Sequence, residues 1–208
     1  MKPYFGLLAA AATMALVGPT FVGSSLAANG EEFVIRGDAT KTILEQNEIN
    51  VATAEAVSKA CVDEAVKQGV KISVAILDQF GEQVYLYRMD GQTKVNIDTA
   101  LMKARTVLNT RQPSKATMNA VLQGRSSELR QYSFGNFANS GGLPIVINSN
   151  QFIGAIGVGG SAPKPPEWSD EICAWRALTQ VVGPQPALLP DIQRSPGEGG
   201  GANRAQNR

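Results

Sequence analysis

Residues 141–160 read Gly-Gly-Leu-Pro-Ile-Val-Ile-Asn-Ser-Asn-Gln-Phe-Ile-Gly-Ala-Ile-Gly-Val-Gly-Gly, and this stretch restricts the fold more than any other in the chain. Two apolar runs, 145–147 and 152–158, flank Asn148-Ser149-Asn150, the polar turn chemistry that closes an antiparallel hairpin. The second run is short of side chains at Gly154, Ala155, Gly157 and Gly159. Glycine weakens a strand, so its repetition marks a surface that something approaches closely. Two occupants suit such a surface, a helix backbone packed on the sheet or a ligand in a hollow floored by the hairpin. Gly141 and Gly142, ahead of Pro144, mark a backbone that turns where a side chain would clash. A nucleotide is excluded, because the glycines at 157–160 run into Ala162-Pro163-Lys164-Pro165-Pro166 and not into a helix whose N–H groups would face a phosphate.

The amino-terminal residues read as an export signal and not as part of the fold. Lys2 gives a positive start, residues 7–17 an apolar core, and Ser25-Leu26-Ala27 a small-x-small cleavage site. Cleavage after Ala27 is expected, which places the mature protein in the periplasm or outside the cell, with no membrane insertion once the signal is removed. Loss of Lys2 takes the formal net charge from +1 to 0. A neutral chain without a basic block gives no support for nucleic-acid binding. Histidine is absent, so a Ser-His-Asp triad, a Cys-His pair and histidine-ligated zinc or haem are all excluded. The two cysteines, Cys61 and Cys173, are too few for a cysteine-rich metal site; they form either one disulfide or two buried thiols.

In chain order, residues 28–49 read as an amino-terminal arm and 50–182 as one domain. Asn50 or Thr53 caps a helix to Gln68, with Ala54, Val57, Cys61 and Ala65 as its inward stripe. Residues 70–78 and 83–89 form a hairpin around Gly81, the first strand apolar on both faces and therefore covered on both. Helices follow over 96–110 and 115–124, the latter with Ser114 as N-cap, and a polar loop with scattered aromatics occupies 125–139. After the central hairpin a helix runs from Asp170 to about Val182, its opening acids suited to the positive end of the helix dipole. Residues 183–208 are rich in proline, glycine and polar side chains and read as a disordered tail. The order helix, hairpin, two helices, hairpin, helix gives an α+β sandwich whose antiparallel sheet has four or five strands covered by helices.

Several of these pieces, in this order and spacing, resemble the GlcG/HbpS family. They are Val74-Ala75-Ile76-Leu77-Asp78 with Gly81, Lys103-Ala104 and Thr106 with Pro113-Ser114 downstream, residues 141–145, residues 154–158, and Asp170-Glu171. The resemblance spans about Thr53 to Val182 and implies a profilin-like fold, homo-oligomers, haem binding in some members, and a membrane sensor or other envelope partner. It also implies Thr106 as a weak ligand for haem iron, with Lys103, Arg105 and Arg111 as cations for the propionates and Gly141, Gly142, Gly157 and Gly159 lining the site. Thr106 reads equally as a helix residue bonded to its own backbone. The chain departs from the family at Gly159-Gly160, where a Ser-Gly is usual, and in the proline-rich insertion 163–166.

The resulting expectation is an exported, oligomeric small-molecule-binding protein with haem or a related planar compound as ligand. The alternatives are an accessory enzyme for a small organic acid or aromatic compound, with Asp78, Lys103 and Asp170 as acid–base groups, and a ligand-free signalling partner.

Overall fold

The computed structural model describes residues 47–125, 133–148, 151–160 and 168–192. The chain divides into two compact units, and all of these residues belong to the second, Glu45–Arg208. The expected export signal, most of the expected arm, Tyr132, the prolines at 163–166 and the end of the tail lie outside the described residues.

Helix α1 is Val51–Lys67, opened by the Asn50 side chain, which accepts the Thr53 N–H at 2.8 Å. Such a cap stabilises a helix by about 1 kcal/mol. Strands β1 (Ser73–Asp78) and β2 (Gln83–Arg88) form the first hairpin. The Asp78 carboxylate accepts the N–H groups of Phe80 and Glu82 in the turn, where Gly81 has a φ of 95°. Helices α2 (Lys94–Thr110) and α3 (Ser114–Leu122) follow, then β3 (Gly142–Ile147), β4 (Gln151–Gly159) and α4 (Asp170–Val181). The strands form one antiparallel sheet in the order β2-β1-β4-β3. This is the α+β sandwich expected from the element order, with four strands among the described residues.

The main core lies on the face covered by α1 and α4, where Val57, Ile72, Val74, Ile76, Ile145, Ile156, Val158, Trp168 and Leu178 are buried. A disulfide between Cys61 and Cys173 ties these two helices together, which decides between the bonded and free alternatives. On the opposite face α2 presses its backbone onto the glycines of the last two strands. A Cβ at Gly157 would overlap the Ala100 carbonyl oxygen, one at Gly142 the Lys103 carbonyl, and one at Gly159 would lie 2.8 Å from the Asn96 carbonyl. Asn96, Ala100 and Lys103 succeed one another along one side of the helix, so the glycines form a seam that lets α2 sit lower than side chains would allow. The hollow expected as an alternative at these positions is therefore occupied by the helix itself.

The carboxyl-terminal segment departs from its expected disorder over residues 183–192. These residues run as a strap over α4 and β3, with Leu188 packed against the core. Trp175 donates its indole N–H to the Pro186 carbonyl at 2.9 Å, and Lys115 donates to the Leu189 carbonyl at 2.8 Å. Composition suggested that the segment could not bury a face; it is held by side chains from elsewhere in the fold.

Candidate functional site

Lys103 and Asp170, proposed from the sequence as separate groups, meet at 2.8 Å, and the Lys103 ammonium also donates to the Val158 carbonyl at 2.7 Å. Their side chains are 4% and 10% exposed, so the pair is sealed into the fold. Gly141 makes room for it, since a Cβ there would fall 2.8 Å from that of Asp170. From α3, Lys115 bridges Glu171, the neighbour of Asp170, at 3.2 Å and the strap residue Asp191 at 2.6 Å. Burial lowers the Lys115 ammonium, but the Asp191 hydrogen bond and the charge of Glu171 outweigh it and leave the group above its ordinary pKa. Burial raises the Glu171 carboxyl above its ordinary value, and the Lys115 charge offsets this only in part. These groups fasten α2, α3, α4 and the strap to one another.

Thr106 is fully buried. Its hydroxyl donates to the Met102 carbonyl at 2.8 Å and accepts the Phe137 N–H at 2.7 Å, pinning the loop before β3 to α2. Ser114 works alongside it in that loop: its hydroxyl donates to the Asn139 carbonyl at 2.6 Å and accepts the Gly142 N–H at 2.8 Å, so it does not act as the expected N-cap. Arg105 is exposed on α2 and is not among the residues lining the cavity that Arg111 faces. The residues named from the sequence therefore do not converge on a single site. Lys103 and Gly141 meet in the buried ion pair, Gly142, Gly157 and Gly159 in the helix seam, and Thr106 in the loop staple.

Arg111 alone among them faces an open cavity. It ends α2 in the left-handed region, φ 56°, with its N–H on the Val107 carbonyl at 2.7 Å. A non-glycine residue is uncommon there, and the turn swings the side chain across the sheet. The guanidinium stacks 4.2 Å from the centre of the Phe152 ring. Below it a groove of about 720 Å³ follows the free edge of β3, walled by Leu143, Pro144, Val146, Phe152, Trp175, Leu178 and the strap residues 185–187. That volume lies within the usual range for small-molecule pockets, about 300–1,000 Å³. Arg111 is the one charged residue among those lining it.

The strand edge beside the groove is blunted. Gly142 gives its outward N–H to Ser114, Pro144 has no N–H, and Val146 gives its N–H to the Gln185 side chain at 3.4 Å. Gln185 returns a bond from its amide nitrogen to the Val146 carbonyl at 3.0 Å, so one side-chain amide takes the place of a neighbouring strand. The polar atoms of Gln185 and the Trp175 indole are thereby used within the fold, which leaves a mainly apolar surface with Arg111 and Gln112 as its remaining polar lining residues. Phe152, Trp175 and Gln185 were not singled out from the sequence. The signal available was Pro144 in a strand, which marks an edge.

Among the described residues there is no group of three histidine, cysteine or acidic side chains able to hold a metal ion, and no helix is long and apolar enough to cross a membrane. The sequence model of the family described as "Haem degrading protein HbpS-like" matches residues 49–179. Protein GlcG of Escherichia coli K12 is 32% identical over 119 residues, which cover 57% of this chain and 83% of GlcG. The crystal structure of HbpS matches with a TM-score of 0.58 and 27% identity, over 72% of this chain and 99% of that one. A crystal structure described as a PduOC–haem complex matches with a TM-score of 0.53 over 64% of this chain and 94% of that one; at 20% identity it supports the fold alone.

Proposed function

Because the chain belongs to the HbpS-like family, we propose that it is an exported small-molecule-binding protein that holds haem or a related planar ligand in the groove along β3. The groove itself carries this reading, since it is enclosed by flat apolar side chains, is of ligand size, and has Arg111 at its mouth. A ring stacked between Phe152, Trp175 and the strap would be removed from water over both faces, and apolar burial of this kind supplies most of the affinity in such pockets. Export draws support from the signal-like residues 1–27 and from the Cys61–Cys173 disulfide, a bond that persists in oxidising compartments. Assembly into a homo-oligomer is part of the same proposal. Strand β2 is an edge of the sheet, with Leu86 and Tyr87 37% and 40% exposed on its two faces, and an edge strand is a place where a second copy can pair.

The accessory-enzyme reading has one favourable observation, the contact of Lys103 with Asp170. General acid–base work also needs a substrate atom within reach, and both groups are sealed from solvent.

Titration of the purified chain with haemin, followed by absorption, tests the binding reading. One equivalent is expected to change the spectrum of the wild type, and Ala187→Trp, which fills the groove from its exposed strap side, is expected to suppress the change. A wild type that leaves haemin unaltered, or a variant that binds as well as the wild type, contradicts the placement. Native mass of the same preparation tests assembly.

A further inference from the structure

Haem presents two chemistries to a protein, a metal ion that takes nitrogen, sulfur or phenolate oxygen ligands and a flat ring carrying carboxylates. The groove answers only the second. Histidine is absent from the chain, and Cys61 and Cys173 are bonded to each other. The residues lining the groove include no methionine, tyrosine, lysine or carboxylate. The Thr106 hydroxyl is buried and already has both a donor and an acceptor partner. The described residues of the site therefore do not fit the iron. They do fit the ring, through Phe152, Trp175 and Pro186, and a carboxylate, through Arg111.

Resting on the groove reading above, we infer that the ligand class is planar aromatic carboxylates, recognised by their faces and their anionic edge, and that a bound metal is not read. Stacking on Phe152 holds the guanidinium plane while leaving its N–H fork free at the edge, the geometry that pairs with a carboxylate. No carboxylate among the described residues forms an ion pair with Arg111, so a ligand anion meets no internal competitor there. Side chains that would distinguish a metal from its absence are not among those lining the groove.

Three porphyrins separate the possibilities: haemin, metal-free protoporphyrin, and the dimethyl ester of the latter. Binding to the full chain is followed by quenching of tryptophan emission, with Trp175→Phe showing that the signal comes from the groove. Haemin and the metal-free diacid are expected to bind within about threefold of each other, and the ester about tenfold more weakly, the factor of one charge-assisted bond of about 1.4 kcal/mol. Arg111→Gln is expected to weaken both acids about tenfold and to abolish the difference between acid and ester. Haemin binding tenfold or more tightly than the metal-free ring overturns the inference while leaving the groove reading in place, and so does an Arg111→Gln variant with unchanged acid affinity. Failure of all three to quench Trp175 overturns the groove reading itself.

Discussion

Gly157 shows how tightly one residue can constrain this fold. The Ala100 carbonyl occupies the space where its side chain would be, so Gly157→Ala must lift α2 from the sheet. A cost of about 1–3 kcal/mol is expected from such overpacking, read as a lowered urea midpoint at unchanged slope; an unaltered midpoint would show that the helix does not sit where it is described. Lys103 stands in a different regime. Removing it by Lys103→Ala leaves the Asp170 carboxylate buried without its ammonium, at about 3–5 kcal/mol, whereas Lys103→Met with Asp170→Leu is expected to recover much of the loss. If the double variant were no more stable than the single one, the pair would have a role beyond mutual neutralisation. Glu171 provides a pH test. Its carboxyl is raised above the unfolded value by burial, so its contribution to stability is fully present below that value of 4.5 and is lost as pH rises through the folded one. Glu171→Gln is accordingly expected to gain stability relative to the wild type as pH is raised from 4 towards neutrality, measured by urea unfolding at each pH. A constant difference would remove burial as the dominant influence on this group.

At the scale of elements, two ties hold the periphery. The disulfide joins α1 to α4 across 112 residues of sequence, and its reduction is expected to cost about 2–5 kcal/mol, seen as a lower urea midpoint in the presence of reductant. The strap depends on Gln185. Replacing it by Ala removes the substitute strand from β3, and the Val146 amide is expected to exchange with solvent roughly two- to tenfold faster, the factor for a bond of about 0.5–1.5 kcal/mol. Elements of this kind differ in how readily the sequence discloses them. The helices and hairpins were legible because Asn50, Gly81 and the acids at Asp170 and Glu171 sit at their boundaries and the apolar spacing between is regular. The seam of Gly142, Gly157 and Gly159 was legible as a close approach, but its occupant was not, because a glycine records the absence of bulk without naming what fills it. The strap was hidden for a related reason. Its own composition is that of a disordered tail, and of the groups that fix it Lys115 and Val146 lie distant in sequence while Trp175 belongs to the preceding helix.

Considered as a whole, the molecule separates its buried charges from its open groove. The buried charges Lys103, Asp170, Lys115 and Glu171 serve packing between helices, while the groove has a single charged lining residue, Arg111 at the end of α2. The family relationship suggested haem, and the residues implied for it by resemblance are spread over three structural roles, with Arg111 alone at the groove. The binding proposed for this chain thus rests on an edge strand, a strap and a stacked guanidinium, and not on the conspicuous glycines.

The two tryptophans allow that account to be tested in one spectrum. Trp175 lines the groove and holds the strap through its indole N–H, whereas Trp168 is fully buried in the core. In a proton–nitrogen correlation spectrum of the full chain titrated with metal-free protoporphyrin, the indole resonance of Trp175, identified by its loss in Trp175→Phe, is expected to shift progressively to saturation while that of Trp168 stays in place. A saturating titration that moves Trp168 alone, or neither indole, would contradict the groove as the ligand site.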